Sequence, residues 1–480
     1  MKLREIIEYL QVKEIIGETD IEIKGLCTDS SRVQSGDLFF CYKGRNVDSH
    51  QKIDEVVTGG AVAVITEKKL DCNIAQIIVV DGRAQIARAA RVFYGFADKK
   101  LKIVGVTGTN GKTTTTYMLA SIFKANGNSV GTIGTLGISY GDTFIAPELT
   151  TPDPVYLHSV FADMLKCGVE YVFMEVSAHA LYFDKIYGIT FEVGILTNCT
   201  QDHLDFFNTM HDYSECKKLL FKDGRCKRAV INSDDSLGIE VLSSLKGTLS
   251  YGLKNPADVF AVDITDGVDG TTFVLNLADE LYEIKLSLPA LHNVYNAMAA
   301  AACAHMLGLK TYIIAAGLKN LKSVSGRLEK VANFNGADIF VDFAHTPDGL
   351  EKSLRSLKNL CKGKLYCLFG CGGNRDKTKR PIMGEIAATC ADFCIVTSDN
   401  PRFEDPYDII SDIEVGIKKT GKKYVTVTER EIATEYAIRL LENGDILLVA
   451  GKGGEDYQEI MGIKHSYNDN TVIKNIIGNK

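Results

Sequence analysis

Short runs of β-branched and aromatic residues alternate along this chain with longer stretches of helical periodicity, almost from end to end. That alternation predicts α/β architecture with largely parallel sheets. MKLREIIEYLQVKEIIG, at the start, carries Arg4, Glu5, Glu8, Lys13 and Glu14 among its apolar positions, a pattern that suits a small amphipathic helix and not a signal peptide. The polar stretch Ala97-Asp98-Lys99-Lys100 then closes a first unit. A central unit holds the strand-like runs LKIVGVTG from Leu101, VEYVFMEVS from Val169 and FEVGILTN from Phe191. Near its end lies NVYNAMAAAACAHMLGL, from Asn293, a helix of small residues expected to pack closely on a sheet. A third unit, from about Arg327, holds ADIFVDFAH, KLYCLFGCGG, ADFCIVTSDN, KKYVTVT and DILLVAGKGG. We therefore expect three α/β domains, at residues 1–98, 99–326 and 327–480. In open α/β sheets ligands collect at loops after the strand C-termini, and nearly every chemically suggestive residue falls there.

Length agrees: 480 residues at roughly 150 per domain suggest about three. Apolar residues are 45% and charged residues 24%, enough for ordinary cores. The formal charge of −7 gives no reason to expect nucleic acid, whose binders carry basic patches. The 13 cysteines are scattered without metal-type spacing and read as reduced thiols. No apolar run approaches the ~18 residues of a membrane span. A soluble, cytoplasmic monomer is expected.

The strongest local signal is Gly105-Val106-Thr107-Gly108-Thr109-Asn110-Gly111-Lys112-Thr113-Thr114, between the strand Ile103–Val106 and a helix with Met118, Leu119, Ile122 and Phe123 on one side. Strand, glycine loop and helix together mark a phosphate loop. Backbone N–H groups can close around phosphate oxygens, and the helix N-terminus adds partial positive charge. Lys112 would reach the outer phosphates and Thr113 would offer its hydroxyl to Mg²⁺. Val106 stands where the general pattern has glycine, so the loop fits a narrower variant.

T-G-T-N-G-K-T-T resembles the ATP loop of the Mur ligase family and its folate-ligase relatives, and the resemblance extends along the whole chain. It implies three α/β domains: an N-terminal UDP-binding domain, a central P-loop ATPase-like domain and a C-terminal Rossmann-like domain. It implies ATP and Mg²⁺ as cofactors, with Gly108, Thr109, Asn110, Gly111, Lys112, Thr113 and Thr114 on the nucleotide. Glu175 in MEVS and His203 in TNCTQDHLD match positions that hold a second magnesium. A histidine is an unusual ligand for so hard a cation. Lys217, in YSECKKLLF, would by itself be a solvated surface charge; the resemblance implies a carbamylated lysine supporting the metal, with Lys218 as the alternative. In HNVYN, Asn293 would contact adenine or cap its helix. Arg327 would reach γ-phosphate charge, and Asp342 in VDFAH would contact the nucleotide, whereas His345 could equally be structural.

Thr28–Phe40 resembles the N-terminal uridine-diphosphate element, with Ser30 at a contact position. Thr150 and Thr151 match a T-T-P loop on the peptide side of the substrate, and Ser177 follows Glu175. Lys185 stands where many relatives have arginine; it keeps the charge and loses the bidentate fork. Asp399-Asn400-Pro401-Arg402 resembles the signature of members that add meso-diaminopimelate. Diaminopimelate differs from lysine by a distal carboxylate, which a guanidinium pairs through two hydrogen bonds. Leaving that arginine unpaired would cost about 3–5 kcal/mol. Gly451 and Glu455 lie in GKGGEDYQ, where Gly454 replaces a usual histidine; Glu455 would hold the distal ammonium. Arg375, in GGNRD, is a further carboxylate partner.

The expected activity is ATP-dependent addition of meso-diaminopimelate to UDP-N-acetylmuramoyl-L-Ala-D-Glu through an acyl phosphate. A lysine-adding member is the nearest alternative. A folate ligase should lack the N-terminal element and the Arg402 signature. A non-catalytic sensor should lack Lys112, Glu175 or Lys217.

Overall fold

The structure is a computed structural model and describes residues 1–44 and 48–478. Its backbone contacts divide the chain into two compact units. The first comprises Met1–Gly105, Asn128–Gly194 and Leu219–Lys227; the second comprises Val106–Gly127, Ile195–Lys218 and Arg228–Lys480.

The first unit opens with a five-stranded sheet in the order Val12–Ile16, Ala75–Val79, Ala63–Thr66, Asp37–Phe40, Gly25–Cys27. All neighbours are parallel except the pair Val12–Ile16 and Ala75–Val79. The three inner strands are buried along their whole length, as expected where both faces are covered. Side chains alternate between two cores. Leu38, Phe40, Ala63, Ile65, Ile77 and Val79 fill one face; Phe39, Cys41 and Val64 fill the other.

The N-terminal helix is shorter than the sequence suggests. It ends after Leu3–Ile7, and Val12–Ile16 is an edge strand. Without that strand, the buried Ala75–Val79 would have unpaired backbone groups on one side. The β-branched Val12, Ile15 and Ile16 favour extended backbone, and Lys13 and Glu14 are tolerated because this edge faces solvent.

Elsewhere in the first unit, Tyr171–Glu175 pairs in parallel with Val130–Gly134, which continues into the antiparallel strands Gly137–Tyr140 and Thr143–Ile145. Asp98 is buried and ion-paired to Arg91 at 2.8 Å. His158, on the helix Pro154–Lys166, is buried with no hydrogen bond at either ring nitrogen among the described residues.

In the second unit, Ala229–Asn232 and Thr248–Tyr251 are parallel. Val259–Gly267, Gly270–Leu277 and Glu280–Leu286 then form an antiparallel meander, a departure from the parallel pattern. The alanine-rich helix is Leu291–Met306, and it is buried on almost every side from Asn293 to Ala304. The helix Thr311–Asn320 lies so close to the helix Lys112–Ala125 that a Cβ at Gly317 would sit 2.3 Å from the Ile122 Cα.

The C-terminal sheet runs Glu329–Phe334, Ala337–Asp342, Ile446–Ala450, Leu365–Phe369, Phe393–Val396, Tyr424–Thr426. All pairs but the first are parallel, and the five strands expected from the sequence are all present. Helices Pro347–Leu360, Lys379–Cys390 and Pro406–Thr420 cover one face, and Arg430–Arg439 and Asp469–Gly478 the other. A hairpin, Tyr457–Ile460 with Ile463–Ser466, follows the Gly451 loop. Among the described residues, no helix is long and apolar enough to cross a membrane.

Burial lowers the His158 pKa to about 4, with the nearby Asp98 charge opposing and Arg91 reinforcing. The unfolded chain therefore takes up this proton first, near pH 6.5, and stability is lost as pH falls from there towards 4. At 1.36 kcal/mol per unit, the loss by pH 5 is about 2 kcal/mol. We expect His158→Leu to shrink the drop in urea-unfolding free energy between pH 7.5 and pH 5 by about that amount. An unchanged drop would place the acid sensitivity elsewhere.

Candidate active site

Two strand ends shape the phosphate loop. Lys102–Thr107 runs into Gly108, and Val193–Leu196 runs into Thr197-Asn198. The Thr197 amide donates to the Thr107 carbonyl at 3.0 Å, and its hydroxyl donates to the Asn110 carbonyl at 2.6 Å. Asn198 takes the Asn110 amide on Oδ1 at 2.9 Å and donates from Nδ2 to the Asn110 carbonyl at 3.1 Å. Gly108 (φ +147°) passes so close that a Cβ there would lie 1.9 Å from Thr197 Oγ1. Gly111 (φ +86°) precedes the helix Lys112–Ala125, and a Cβ there would lie 2.4 Å from Asn296 Oδ1. Both glycines occupy the left-handed half of backbone space, where a side chain is strained.

Lys112 Nζ folds over the loop and donates to the Gly108 and Thr109 carbonyls, each at 2.9 Å. Thr113 and Thr114 are buried in the first helical turn. Thr113 Oγ1 accepts from Arg327 Nη2 at 2.9 Å, and the Arg327 guanidinium lies over the Phe343 ring. Arg327 is thus joined to the first turn of the helix that follows the loop. Asn110 Nδ2 also donates to Asp348 at 2.8 Å, a carboxylate that further accepts from Thr200 and Lys352. Asn293 does not cap its helix. Ala290 holds that position, and Asn293 turns its amide to the Pro289 carbonyl at 2.6 Å. Asp342 accepts from the Ser353 hydroxyl.

Lys217 is not a surface charge: it is 1% exposed, with Nζ 4.3 Å from the centre of the Tyr213 ring. Burial lowers its pKa to about 8, against the raising effect of nearby thiols and of Asp202 and Asp235. Lys218 instead pairs with Glu215 and Glu240. Tyr213 Oη lies 3.3 Å from Thr109 Oγ1, so this helix and the phosphate loop share a wall. His203 stands in left-handed backbone (φ +56°), its Nε2 3.3 Å from Asp202. Burial works against ionisation of Asp202, yet His203, His345 and Lys379 outweigh it and hold the carboxyl down. His345 is half-buried, with Nδ1 2.8 Å from the Phe343 carbonyl. Burial and the Lys379 charge push its pKa to about 4, so it is neutral at pH 7.

In the first unit, Glu175 ends its strand buried. It accepts from the Thr135 amide at 2.8 Å and the Thr135 hydroxyl at 3.0 Å. Thr150 Oγ1 lies 3.3 Å from that hydroxyl. Thr151 donates to the Glu175 carbonyl at 2.8 Å and accepts from the Ser177 amide at 3.1 Å. Glu175, Thr150, Thr151 and Ser177 therefore form one cluster. Lys185 pairs with Asp153 at 2.7 Å. Ser30 opens the turn Ser30–Arg32, and among the described residues no hydrogen bond joins it to this cluster.

In the C-terminal sheet, four loops after parallel strands meet. The Gly451 amide donates to the Asp342 carbonyl, and the Gly373 amide to the Asn400 carbonyl. Asn400 donates to Glu455 at 2.9 Å and accepts from Lys452 Nζ at 3.0 Å; Lys452, wholly buried, also pairs with Glu455 at 2.8 Å. Burial opposes the charge on Asp399, but Lys452 and Arg430 keep its carboxyl below the usual range. Pro401 is buried beside it. Arg402 donates from Nε to Glu459 at 3.1 Å and from Nη1 to the Gly373 carbonyl at 2.8 Å. Arg375, by contrast, is exposed.

Several of these partners escape a reading of the sequence. Arg380 is wholly buried and pairs with Glu404 and Asp412, tying the Gly372–Arg375 loop to Arg402–Asp405. Hydrogen bonding from Arg380 draws the Glu404 carboxyl down to about 2. Arg430 and Asp469 form a fully buried pair that also holds the Ala450 carbonyl. Charged residues on helices look solvated in sequence, and nothing in their spacing announces burial. Asp202 could have been found, because it adjoins His203.

Strand-end loops around a glycine loop, with a lysine at the helix start and a buried second lysine, define an α/β protein built to hold phosphate. Three family profiles match. One described as "Mur ligase family, catalytic domain" covers residues 22–105, "Mur ligase middle domain" covers 106–304, and "Mur ligase, glutamate ligase domain" covers 326–453. A relative from Clostridium acetobutylicum, named UDP-N-acetylmuramoyl-L-alanyl-D-glutamate–2,6-diaminopimelate ligase 1, is 43% identical over 97% of this chain and 96% of its own. One of that name without the numeral, from Caldanaerobacter subterraneus subsp. tengcongensis, is 39% identical over 99% of each. A solved structure of such a ligase superposes with TM-score 0.71 at 29% identity, covering 100% of this chain and 99% of its own. The chain belongs to the Mur ligase family.

At Gly108 the new Cβ of an alanine would strike Thr197 Oγ1 at 1.9 Å and approach the Asn198 backbone at 3.0 Å. We expect Gly108→Ala to lower unfolding free energy by about 3 kcal/mol. Thr197→Ala in the same chain should restore part of it. Equal stability of the single and double variants in urea unfolding would refute the collision.

Proposed function

We propose that this chain is an ATP-dependent ligase that adds meso-2,6-diaminopimelate to UDP-N-acetylmuramoyl-L-Ala-D-Glu. The observation that carries the reading is the full-length likeness to ligases named for that amino acid. In this reading residues 1–98 take the UDP-sugar, 99–326 the ATP and 327–480 the amino acid.

The reaction needs the γ-carboxylate of D-Glu brought to the γ-phosphate of ATP, giving an acyl phosphate and ADP. The amine of diaminopimelate then attacks the acyl carbon, a tetrahedral intermediate forms, and phosphate leaves with a proton lost from the amine. No protein nucleophile is required, so positioning and charge stabilisation carry the catalysis. The loop from Gly108 to Thr114 and the helix N-terminus suit the phosphates. Lys112 would exchange its two carbonyl partners for phosphate oxygens, and Arg327 beside Thr113 adds a second positive charge. Asn293 and Asp342 flank the nucleotide. Ser30, Thr150, Thr151, Ser177 and Lys185 serve the UDP-peptide.

Among the candidate Mg²⁺ ligands, Thr113 and His203 belong to the second unit and Glu175 to the first, and a buried strand-end carboxylate such as Glu175 suits a hard cation. The metal supplies neutralisation of phosphate charge. Lys217, with its pKa near 8, has a free-amine fraction at neutral pH. That amine adds to CO₂, losing a proton and turning the cation into a carbamate anion. Enzyme equilibrated with ¹³C-bicarbonate should give a carbamate NMR signal that vanishes in Lys217→Arg. A spectrum without it in the unaltered enzyme would discard the carbamate.

The diaminopimelate selectivity rests on Arg402, with Glu455, Asp399, Asn400, Gly451 and Arg375 around it. Phosphate release should occur with ATP, Mg²⁺, UDP-N-acetylmuramoyl-L-Ala-D-Glu and meso-diaminopimelate, and not with L-lysine in its place. Lys112→Ala should abolish it. Release with lysine instead would keep the ligase and overturn the selectivity.

A further inference from the structure

Arg402 stands in left-handed backbone (φ +54°), a conformation that a side-chain-bearing residue keeps only when its surroundings enforce it. The hairpin strand Tyr457–Ile460 does so. The Arg402 amide donates to the Glu459 carbonyl at 3.0 Å, and the Met461 amide donates to the Arg402 carbonyl at 2.7 Å. The Glu459 amide is held in turn by Asn400 Oδ1 at 2.9 Å.

The side chains repeat the link. Glu459 Oε2 accepts from Arg402 Nε at 3.1 Å, with the two side chains 18% and 22% exposed. Gly373 takes Nη1 at 2.8 Å. Among the described residues, Nη2 makes no hydrogen bond. A guanidinium can meet a carboxylate along its Nε–Nη2 side or across its two Nη ends. Glu459 takes Nε on the first of these and Gly373 takes Nη1 on the second, so a ligand carboxylate would meet the fork at Nη2.

We propose that Glu459 is a positioning residue that sets amino-acid selectivity by fixing the Arg402 fork. This rests on the diaminopimelate reading above. A carboxylate on the hairpin holds the arginine in its bonding orientation before substrate arrives, so less side-chain freedom is lost on binding. It also balances the charge of Arg402 while no ligand carboxylate is present. Lysine has no distal carboxylate and gains nothing from the fork.

The test is steady-state phosphate release by the full chain with ATP, Mg²⁺ and the UDP-dipeptide, comparing Glu459→Ala and Glu459→Gln with the unaltered enzyme. Misplacing a binding group by a fraction of an ångström costs about tenfold. Glu459→Ala should therefore raise KM for meso-diaminopimelate about tenfold with kcat within about twofold. KM for ATP and for the UDP-dipeptide should stay unchanged, as should the unfolding temperature. Glu459→Gln, which keeps an acceptor for Nε, should recover to within about threefold of the unaltered enzyme. An unchanged or lowered KM for diaminopimelate in Glu459→Ala would overturn the proposal, the lowered value marking Glu459 as a competitor. Equal rises in all three KM values would overturn it too, as general loosening of the hairpin. Unaltered enzyme that uses lysine as well as diaminopimelate would sink the underlying reading, and this proposal with it, before any variant is compared.

Discussion

The site depends first on how closely two strand ends approach each other. Gly108 and Thr197 occupy adjoining space that no further side chain can share, and the Thr197 hydroxyl closes on the Asn110 carbonyl. That contact lets Thr197 and Asn198 fix the loop from one side. The Thr109 and Asn110 amides are held by Asn198, and the Gly108, Thr109 and Asn110 carbonyls by Lys112, Thr197 and Asn198, so the loop keeps one arrangement. Lys112, Arg327 and Tyr213 all take their positions from this loop.

Charge is managed around it by burial with compensation. Lys217 is a buried amine beside an aromatic ring, Asp202 a buried anion among histidines and a lysine, and His345 a half-buried neutral ring. Each would be costly alone. Together they form an electrostatic neighbourhood in which protonation states are set by geometry and differ from those of the free side chains.

The C-terminal loops use the same device at the other end of the chemistry. Arg380 with Glu404, Arg430 with Asp469 and Lys452 with Glu455 are cations at or near zero exposure, each paired to a carboxylate. Buried pairs of this kind add little net stability, but breaking one strands a charge. Their effect is to give the loops a single arrangement, and Arg402 is presented from that frame.

The sequence by itself determined the α/β alternation, the five parallel strands of the C-terminal sheet, and the strand, glycine loop and helix around Lys112. These are local: a period of hydrophobicity or a glycine at fixed spacing is read within one short window. It also singled out Arg327, Glu175 and Lys217 as candidates by motif. Tertiary structure decided the rest. Val12–Ile16 became a strand because Ala75–Val79 lacked a partner, and Asn293 lost its cap role to Ala290. Lys217 and Lys218 are adjacent and chemically alike, yet one is buried against Tyr213 and the other paired with Glu215 and Glu240. Arg402 found Glu459 across 57 positions of chain. Burial and pairing of that kind depend on what packs from elsewhere in the fold, and no local pattern encodes it.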